Sequence, residues 1–204
     1  MSDYTPSAAE VKQLRETTQA GMMDCKRALA EVGGDMDQAV KLLREKGIAS
    51  AGKRAGRGTG EGLVETYLHA GGRIGAMVEI GCETDFVARN DSFKDFAHKV
   101  ALQIAAARDL RFVSEADIPD DFKASEMDIF RAKAAAEGKP EAMLDKIAAG
   151  MWNKSLTDYV LSNQPSIGPD DDGKTIETLR AELAGTIGEN IEIKRFARFE
   201  VGEE

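Results

Sequence analysis

The chain lacks the features that place a protein in a membrane or outside the cell. No apolar run in it approaches the ~18 residues that are needed to span a bilayer. Residues 1–10 have neither the basic start nor the apolar stretch that is typical of a signal peptide. We therefore expect no contact with a membrane and a cytoplasmic location.

The side chains that most often carry catalysis are also scarce, since the chain has two cysteines and two histidines. Cys25 and Cys82 fit neither a metal-binding nor a Cys-x-x-Cys spacing, which favours a reducing compartment. Cys25 falls on the apolar face of a predicted helix, as a buried inert thiol does. His69 and His98 lie near no cysteine or Ser/Asp pair in the sequence. We predict no catalytic residue, no cofactor and no bound metal, and a binding protein rather than an enzyme.

Positive charge is in deficit, because the chain carries a net charge of −9. General affinity for nucleic acid depends on lysines and arginines that neutralise phosphates, so we expect no direct contact with nucleic acid. The charge is unevenly distributed. Residues 1–57 hold ten basic and eight acidic side chains, a balance of +2, which leaves −11 for the remainder. A nearly neutral first part on an acidic body indicates a protein partner.

The first 50 residues predict a compact domain of three short helices, which we call the head. Ser7 and Glu10 have the spacing of a capping box, in which each side chain satisfies a free backbone N–H at the start of a helix. Asp35 is placed to cap the third helix, and Gly47 is predicted to end it. Apolar residues recur at helical spacing in all three segments.

Residues 51–61 are rich in glycine and basic side chains. A phosphate-binding loop is one interpretation, but neither the Gly-x4-Gly-Lys-Ser/Thr pattern nor a Gly-x-Gly-x-x-Gly register fits these glycines. The composition is typical of a flexible linker between two domains.

Residues 62–204 predict an α+β core of about three antiparallel strands packed with helices. Residues 64–68 and 74–82 alternate in polarity around a glycine turn, which indicates a hairpin with one buried face. Amphipathic helices are predicted over residues 92–107, 125–137 and 140–162, followed by one more helix. Residues 191–199 alternate again and are predicted to join the hairpin as the third strand. The acidic turn 170–173 does not fit a calcium loop, because Leu179 stands where the bidentate glutamate belongs.

The junction between the second strand and the next helix contains the candidate binding site. There an acid, Asp85, precedes a large aromatic, Phe86, in a short connection that is expected at the surface, where binding residues gather. The alternative interpretation is that Phe86 anchors the core and Asp85 caps a helix.

Two segments resemble the signatures of the elongation factor Ts family. Residues 14–29 read LRETTQAGMMDCKRAL and resemble the N-terminal signature, and residues 79–89 read EIGCETDFVAR and resemble the second. The two occur in the order of the family, and the closing residues 198–203, RFEVGE, are also similar to it. The resemblance covers nearly the whole chain.

The resemblance implies a guanine-nucleotide exchange factor of translation elongation that binds elongation factor Tu in its GDP-bound and nucleotide-free forms. It implies that the head is of the ubiquitin-associated type and docks on the nucleotide-binding domain of the partner. It also implies that a turn of the core disturbs the site of Mg²⁺ and the GDP phosphates. The residues that match the family's contact positions are Met22 and Met23 in the head and Thr84, Asp85, Phe86 and Val87 in the core.

The chain departs from longer members of the family, which carry a duplicated core half and a coiled-coil insertion. It resembles a short form, and such a form can replace the missing half by forming a homodimer. The final strand, residues 191–201, is the candidate contact, with Phe196 on one face and Phe199 on the other. A monomer whose sheet edges are covered by its own helices is the alternative state. The alternative function is a helical adaptor that binds a peptide or a ubiquitin-like partner.

Overall fold

The computed structural model describes residues 4–18 and 20–203, except for the side chains of residues 48–51. The predicted capping box is present at the first helix: the Ser7 N–H donates to Glu10 Oε2 at 2.7 Å, and the Glu10 N–H donates to Ser7 Oγ at 3.3 Å. Asp35 caps the third helix by accepting the Gln38 N–H at 2.9 Å. These first three helices are α1 Ala8–Thr18, α2 Met22–Glu31 and α3 Met36–Arg54.

The helices α1, α2 and α3 enclose a small apolar cluster of their own. Its side chains come from the inward face of each helix, at the spacing of three and four residues that the sequence shows. The fully buried members are Leu14, Cys25, Leu29 and Ala39.

The third helix does not end at Gly47, as the sequence predicts, but continues to Arg54. The reason is tertiary, because α3 packs along α8, Ile176–Ile187. At the point of closest approach, a Cβ added to Gly185 would lie 2.4 Å from the Cα of Gly47. A glycine inside a helix costs about 1 kcal/mol relative to alanine, but here it lets two helices approach more closely than any side chain would permit.

The three strands β1 Glu61–Leu68, β2 Ile74–Cys82 and β3 Ile191–Glu200 form one antiparallel sheet in the order β1-β2-β3. The third strand therefore joins the hairpin, as predicted, and pairs Ile191 with Cys82. An irregularity in the register falls between Glu79 and Ile80. The α+β architecture is confirmed.

One face of the sheet carries the main apolar core. The alternate residues Ala76, Val78, Ile80 and Cys82 of β2 point into it and are covered by α5, Asp91–Ala106. The opposite face carries exposed apolar side chains, namely Val64, Leu68, Met77 and Phe199. The remaining helices are α4 Asp85–Ala88, α5 Asp91–Ala106, α6 Asp120–Ala136 and α7 Leu144–Tyr159.

Helices α6 and α7 pack on each other as a hairpin, and their bounds differ from the prediction. Helix α6 starts at Asp120 rather than at residue 125, because Pro119 is its N-cap and the acids after it occupy the first turn. Pro140 precedes a short 3-10 turn, Glu141–Met143, so α7 begins only at Leu144. Among the residues that the structure describes, no helix has the length and apolar character of a membrane span.

Candidate partner-binding site

The connection from β2 to α5 contains the one-turn helix α4, and we call residues 83–88 the Phe86 turn. The Phe86 side chain is 80% exposed. The interpretation of Phe86 as a core anchor is therefore wrong in this structure. A ring of this size in water is unusual, because burying it would contribute about 1.5–3 kcal/mol.

The neighbouring residue has the opposite environment. Val87 is 8% exposed and belongs to the main apolar core. Consecutive residues of a helix point in directions about 100° apart, so one turn can place Val87 inward and Phe86 outward. Val87 thus anchors the turn to the core.

Asp85 occupies the first position of α4, where a negative charge is favourable beside the free N–H groups of a helix. The N-cap residue of α4 is Thr84, so Asp85 is not the cap of this helix. The Thr84 side chain itself makes no capping hydrogen bond. The carboxylate forms an ion pair with Arg89 at 2.9 Å. Both side chains are substantially exposed, so the pair contributes about 0–1 kcal/mol and leaves the carboxylate accessible.

A residue that the sequence interpretation missed, Glu189, holds the start of the turn. Its Oε2 accepts the N–H groups of Glu83 and Thr84, each at 3.0 Å, and its Oε1 accepts the Thr84 hydroxyl at 2.6 Å. In return, Glu83 Oε1 accepts the Asn190 N–H at 2.6 Å. The signal that could have found Glu189 is the strand register: because Cys82 pairs with Ile191, the residues just before β3 lie beside those just after β2.

The two methionines of the predicted head site lie at the start of α2. Met22 and Met23 are both exposed, at 56% and 62%. They precede the buried face of the helix, which Cys25, Ala28 and Leu29 form. The structure therefore places the six predicted contact residues on two separate parts of the fold: the methionines are on α2 of the head, and the other four are in the Phe86 turn, which Val87 joins to the main apolar core.

The cysteines and histidines lie in ordinary structural environments. Both thiols are buried, and burial raises the pKa of Cys25 and of Cys82. His69 lies 3.2 Å from the Tyr67 hydroxyl, and His98 lies 3.2 Å from a Glu65 carboxylate oxygen. Among the described residues, His, Cys, Asp and Glu form no cluster suited to a metal ion.

The comparisons with known proteins agree on one family. A protein-family model described as elongation factor TS matches residues 7–203. Elongation factor Ts of Desulfitobacterium hafniense is 52% identical over 197 residues, which are 97% of this chain and 89% of that relative. Elongation factor Ts of Solidesulfovibrio magneticus is 52% identical over 198 residues, which are 97% of this chain and 98% of that relative. The Thermosynechococcus vestitus relative is longer: it is also 52% identical over 197 residues, but these are 66% of its length.

These matches define the class of protein, a translation elongation factor. They extend over almost the whole of this chain. The chain belongs to the elongation factor Ts family.

Proposed function

We propose that this protein is the guanine-nucleotide exchange factor of elongation factor Tu. The observation that carries the proposal is the exposed Phe86 ring on a turn that is anchored on both sides, by Val87 in the core and by Glu189 at the backbone. A large aromatic side chain held out of its own core is the kind of residue that dominates interface energetics when a partner covers it. The matched signature implies that this partner is elongation factor Tu.

The proposed mechanism needs no covalent chemistry. Proteins of the partner's class hold the charge of GDP with Mg²⁺ and with backbone N–H groups around the phosphates. The Phe86 turn, with Asp85 beside the ring, enters next to that site and displaces the elements that support the metal. GDP then loses charge compensation and leaves. The factor binds the nucleotide-free partner more tightly than the GDP-bound partner. By linkage, the ratio of these two affinities equals the ratio by which the factor lowers the partner's affinity for GDP.

The two parts of the chain have different roles in this proposal. Residues 1–50 dock on the partner through Met22 and Met23, residues 51–61 connect, and residues 62–204 carry out the exchange step. Docking by one part raises the effective concentration of the other at its target. The protein acts in the cytoplasm, as a binding protein and not as an enzyme.

A release assay tests the proposal directly. Elongation factor Tu is loaded with fluorescent GDP and mixed with excess unlabelled GDP, with and without this protein. We expect release to become much faster, and to saturate as the concentration of this protein rises. A release rate that is the same with and without it would refute the proposed function.

We further propose that two copies of the chain associate through the open face of the sheet. The observation behind this is the group of exposed apolar side chains on that face, which includes Leu68 and Phe199, both paired with Gly75 of the middle strand. A two-fold dimer is the commonest symmetric assembly and uses the same patch on both copies.

A further inference from the structure

The Phe86 turn cannot hold its shape through its own hydrogen bonds. Helix α4 spans four residues, and a helix of one turn is unstable in isolation, because nucleation costs more than the first hydrogen bond returns. Its N-cap residue, Thr84, does not cap it with its side chain. The Thr84 hydroxyl donates instead to Glu189, on a distant part of the chain.

Glu189 is fixed at a definite place in the fold. It follows Gly188, which ends α8 in the left-handed conformation at φ 88°, and it precedes β3 by two residues. The strand pairing of Ile191 with Cys82 brings it beside the end of β2. Its carboxylate therefore lies within hydrogen-bonding distance of the first residues of the turn.

The contact is reciprocal and involves three separate parts of the chain. Glu83 returns a hydrogen bond by accepting the Asn190 N–H, and the Asn190 side chain donates to the Arg57 carbonyl at 2.8 Å. The Arg57 guanidinium lies 3.4 Å from Glu83 Oε1. The end of the head-to-core connection, the Phe86 turn and the start of β3 are thus joined at one point.

We propose that Glu189 is a positioning residue for nucleotide exchange, which orients the Phe86 turn through its hydrogen bonds to Glu83 and Thr84. This inference rests on the proposed function. Glu189 acts only through the turn: it fixes where the chain enters α4, and that direction fixes where the exposed ring points. Removal of the carboxylate frees two backbone N–H groups and a hydroxyl, and the entrance to α4 becomes mobile.

The first measurement is GDP release from elongation factor Tu as a function of the concentration of the full chain. Glu189→Ala should lower the saturating rate about tenfold to a hundredfold, since a misplacement of about 1 Å can cost that much. Glu189→Gln should retain most of the rate, because its amide oxygen still accepts the two N–H groups and its NH₂ can donate to the Thr84 hydroxyl. Glu126→Ala is the matched control, as it removes a glutamate whose partner, the Tyr159 hydroxyl, lies in the α6–α7 hairpin. It should leave the rate unchanged.

The second measurement is amide hydrogen exchange of residues 83–88 in the free protein, which needs no partner. Glu189→Ala should increase exchange at Glu83 and Thr84 while the protection of the β2 amides stays the same. If Glu189→Ala does not fold, Thr84→Val and Thr84→Ser give the same comparison, because only the serine variant keeps the hydroxyl. If the unaltered protein does not accelerate GDP release, the proposed function is refuted. The amide exchange measurement then tests by itself whether Glu189 orients the turn. A folded Glu189→Ala variant with an unchanged saturating rate, or with unchanged protection of the turn, would overturn the inference.

Discussion

At the scale of single residues, two phenylalanines a few positions apart offer a direct test of the proposed site. Phe86 is 80% exposed, whereas Phe93 in α5 is fully buried. Phe86→Ala should reduce the acceleration of GDP release strongly, because an interface aromatic contributes ~2 kcal/mol or more. It should leave the melting temperature nearly unchanged, since the ring buries little surface in the free protein.

Phe93→Ala is the matched control and should give the opposite result. Loss of a buried ring costs about 3–5 kcal/mol of stability, so its melting temperature should fall, while the folded fraction should still drive exchange. Thermal unfolding by circular dichroism and the release assay measure the two effects on the same samples. A large fall in melting temperature for Phe86→Ala, with exchange per folded molecule intact, would contradict the assignment.

At the scale of elements, the capping box of α1 makes the head sensitive to acid. The pKa of Glu10 is lowered to about 2 by hydrogen bonds from the Ser7 hydroxyl, the Tyr4 hydroxyl and the Ser7 N–H, in that order of effect. Because this pKa lies below the ordinary value of 4.5, the ionised carboxylate stabilises the folded head above about pH 4.5. That contribution is lost as the pH falls through about 2.

We expect Ser7→Ala to raise the pKa of Glu10 towards 4.5, because it removes the largest of these effects. The titration of the Glu10 carboxyl carbon by NMR measures this shift. Ser155→Ala serves as the control: it removes a hydroxyl that donates to the Trp152 carbonyl in α7, and the Glu10 titration should not change. A midpoint near 4.5 in the unaltered protein would show that the capping box does not hold the carboxylate.

The sequence predicts those elements whose causes are local. The capping box at Ser7, the cap at Asp35 and the alternation of β2 each depend on a few adjacent residues, and all three are present. The end of α3 is predicted wrongly, because the packing partner that carries the helix past Gly47 is α8, far along the chain. Glu189 is missed for the same reason: 105 positions separate it from Thr84, and only the sheet register brings them together.

At the scale of the whole molecule, the glycine contact between α3 and α8 sets how the head sits on the core. Gly185→Ala would place a Cβ 2.4 Å from the Cα of Gly47, so the two helices must separate. We expect a higher concentration of this variant for half-maximal GDP release, because the head no longer docks together with the Phe86 turn. The saturating rate should change little, since the turn itself is intact.

Gly150→Ala is the matched control for this prediction. Gly150 also lies inside a helix, α7, but a Cβ there would have no described atom within 4 Å apart from its own helix backbone and chain neighbours. Alanine should stabilise that helix by about 1 kcal/mol and leave the half-maximal concentration as it is. Equal half-maximal concentrations for Gly185→Ala and the unaltered protein would mean that the orientation of the head does not matter for exchange.

The largest-scale prediction concerns the homodimer. Rows of the open sheet face align Leu68 with Gly75 and Gly75 with Phe199, so that two exposed apolar side chains flank a glycine in the middle strand. Contiguous apolar surface on a soluble protein marks an interaction site, and Phe199, 73% exposed, is its largest member. Phe199→Lys should convert the dimer to a monomer, because the contact between the two copies would then bury an unpaired charge.

Sedimentation velocity over micromolar concentrations measures the dimer directly. The unaltered chain should sediment as a species of twice the chain mass of 22.0 kDa, and Phe199→Lys as a single chain. Ile129→Lys is the control, since Ile129 is an exposed apolar residue on α6, away from the sheet, and its replacement should leave the dimer intact. Both copies in the dimer would keep their Phe86 turns accessible. Phe199 pairs with Gly75 near the start of β2, whereas the Phe86 turn follows the end of β2 at Cys82. A single species of one chain mass across the concentration range would show that the sheet face remains open to water.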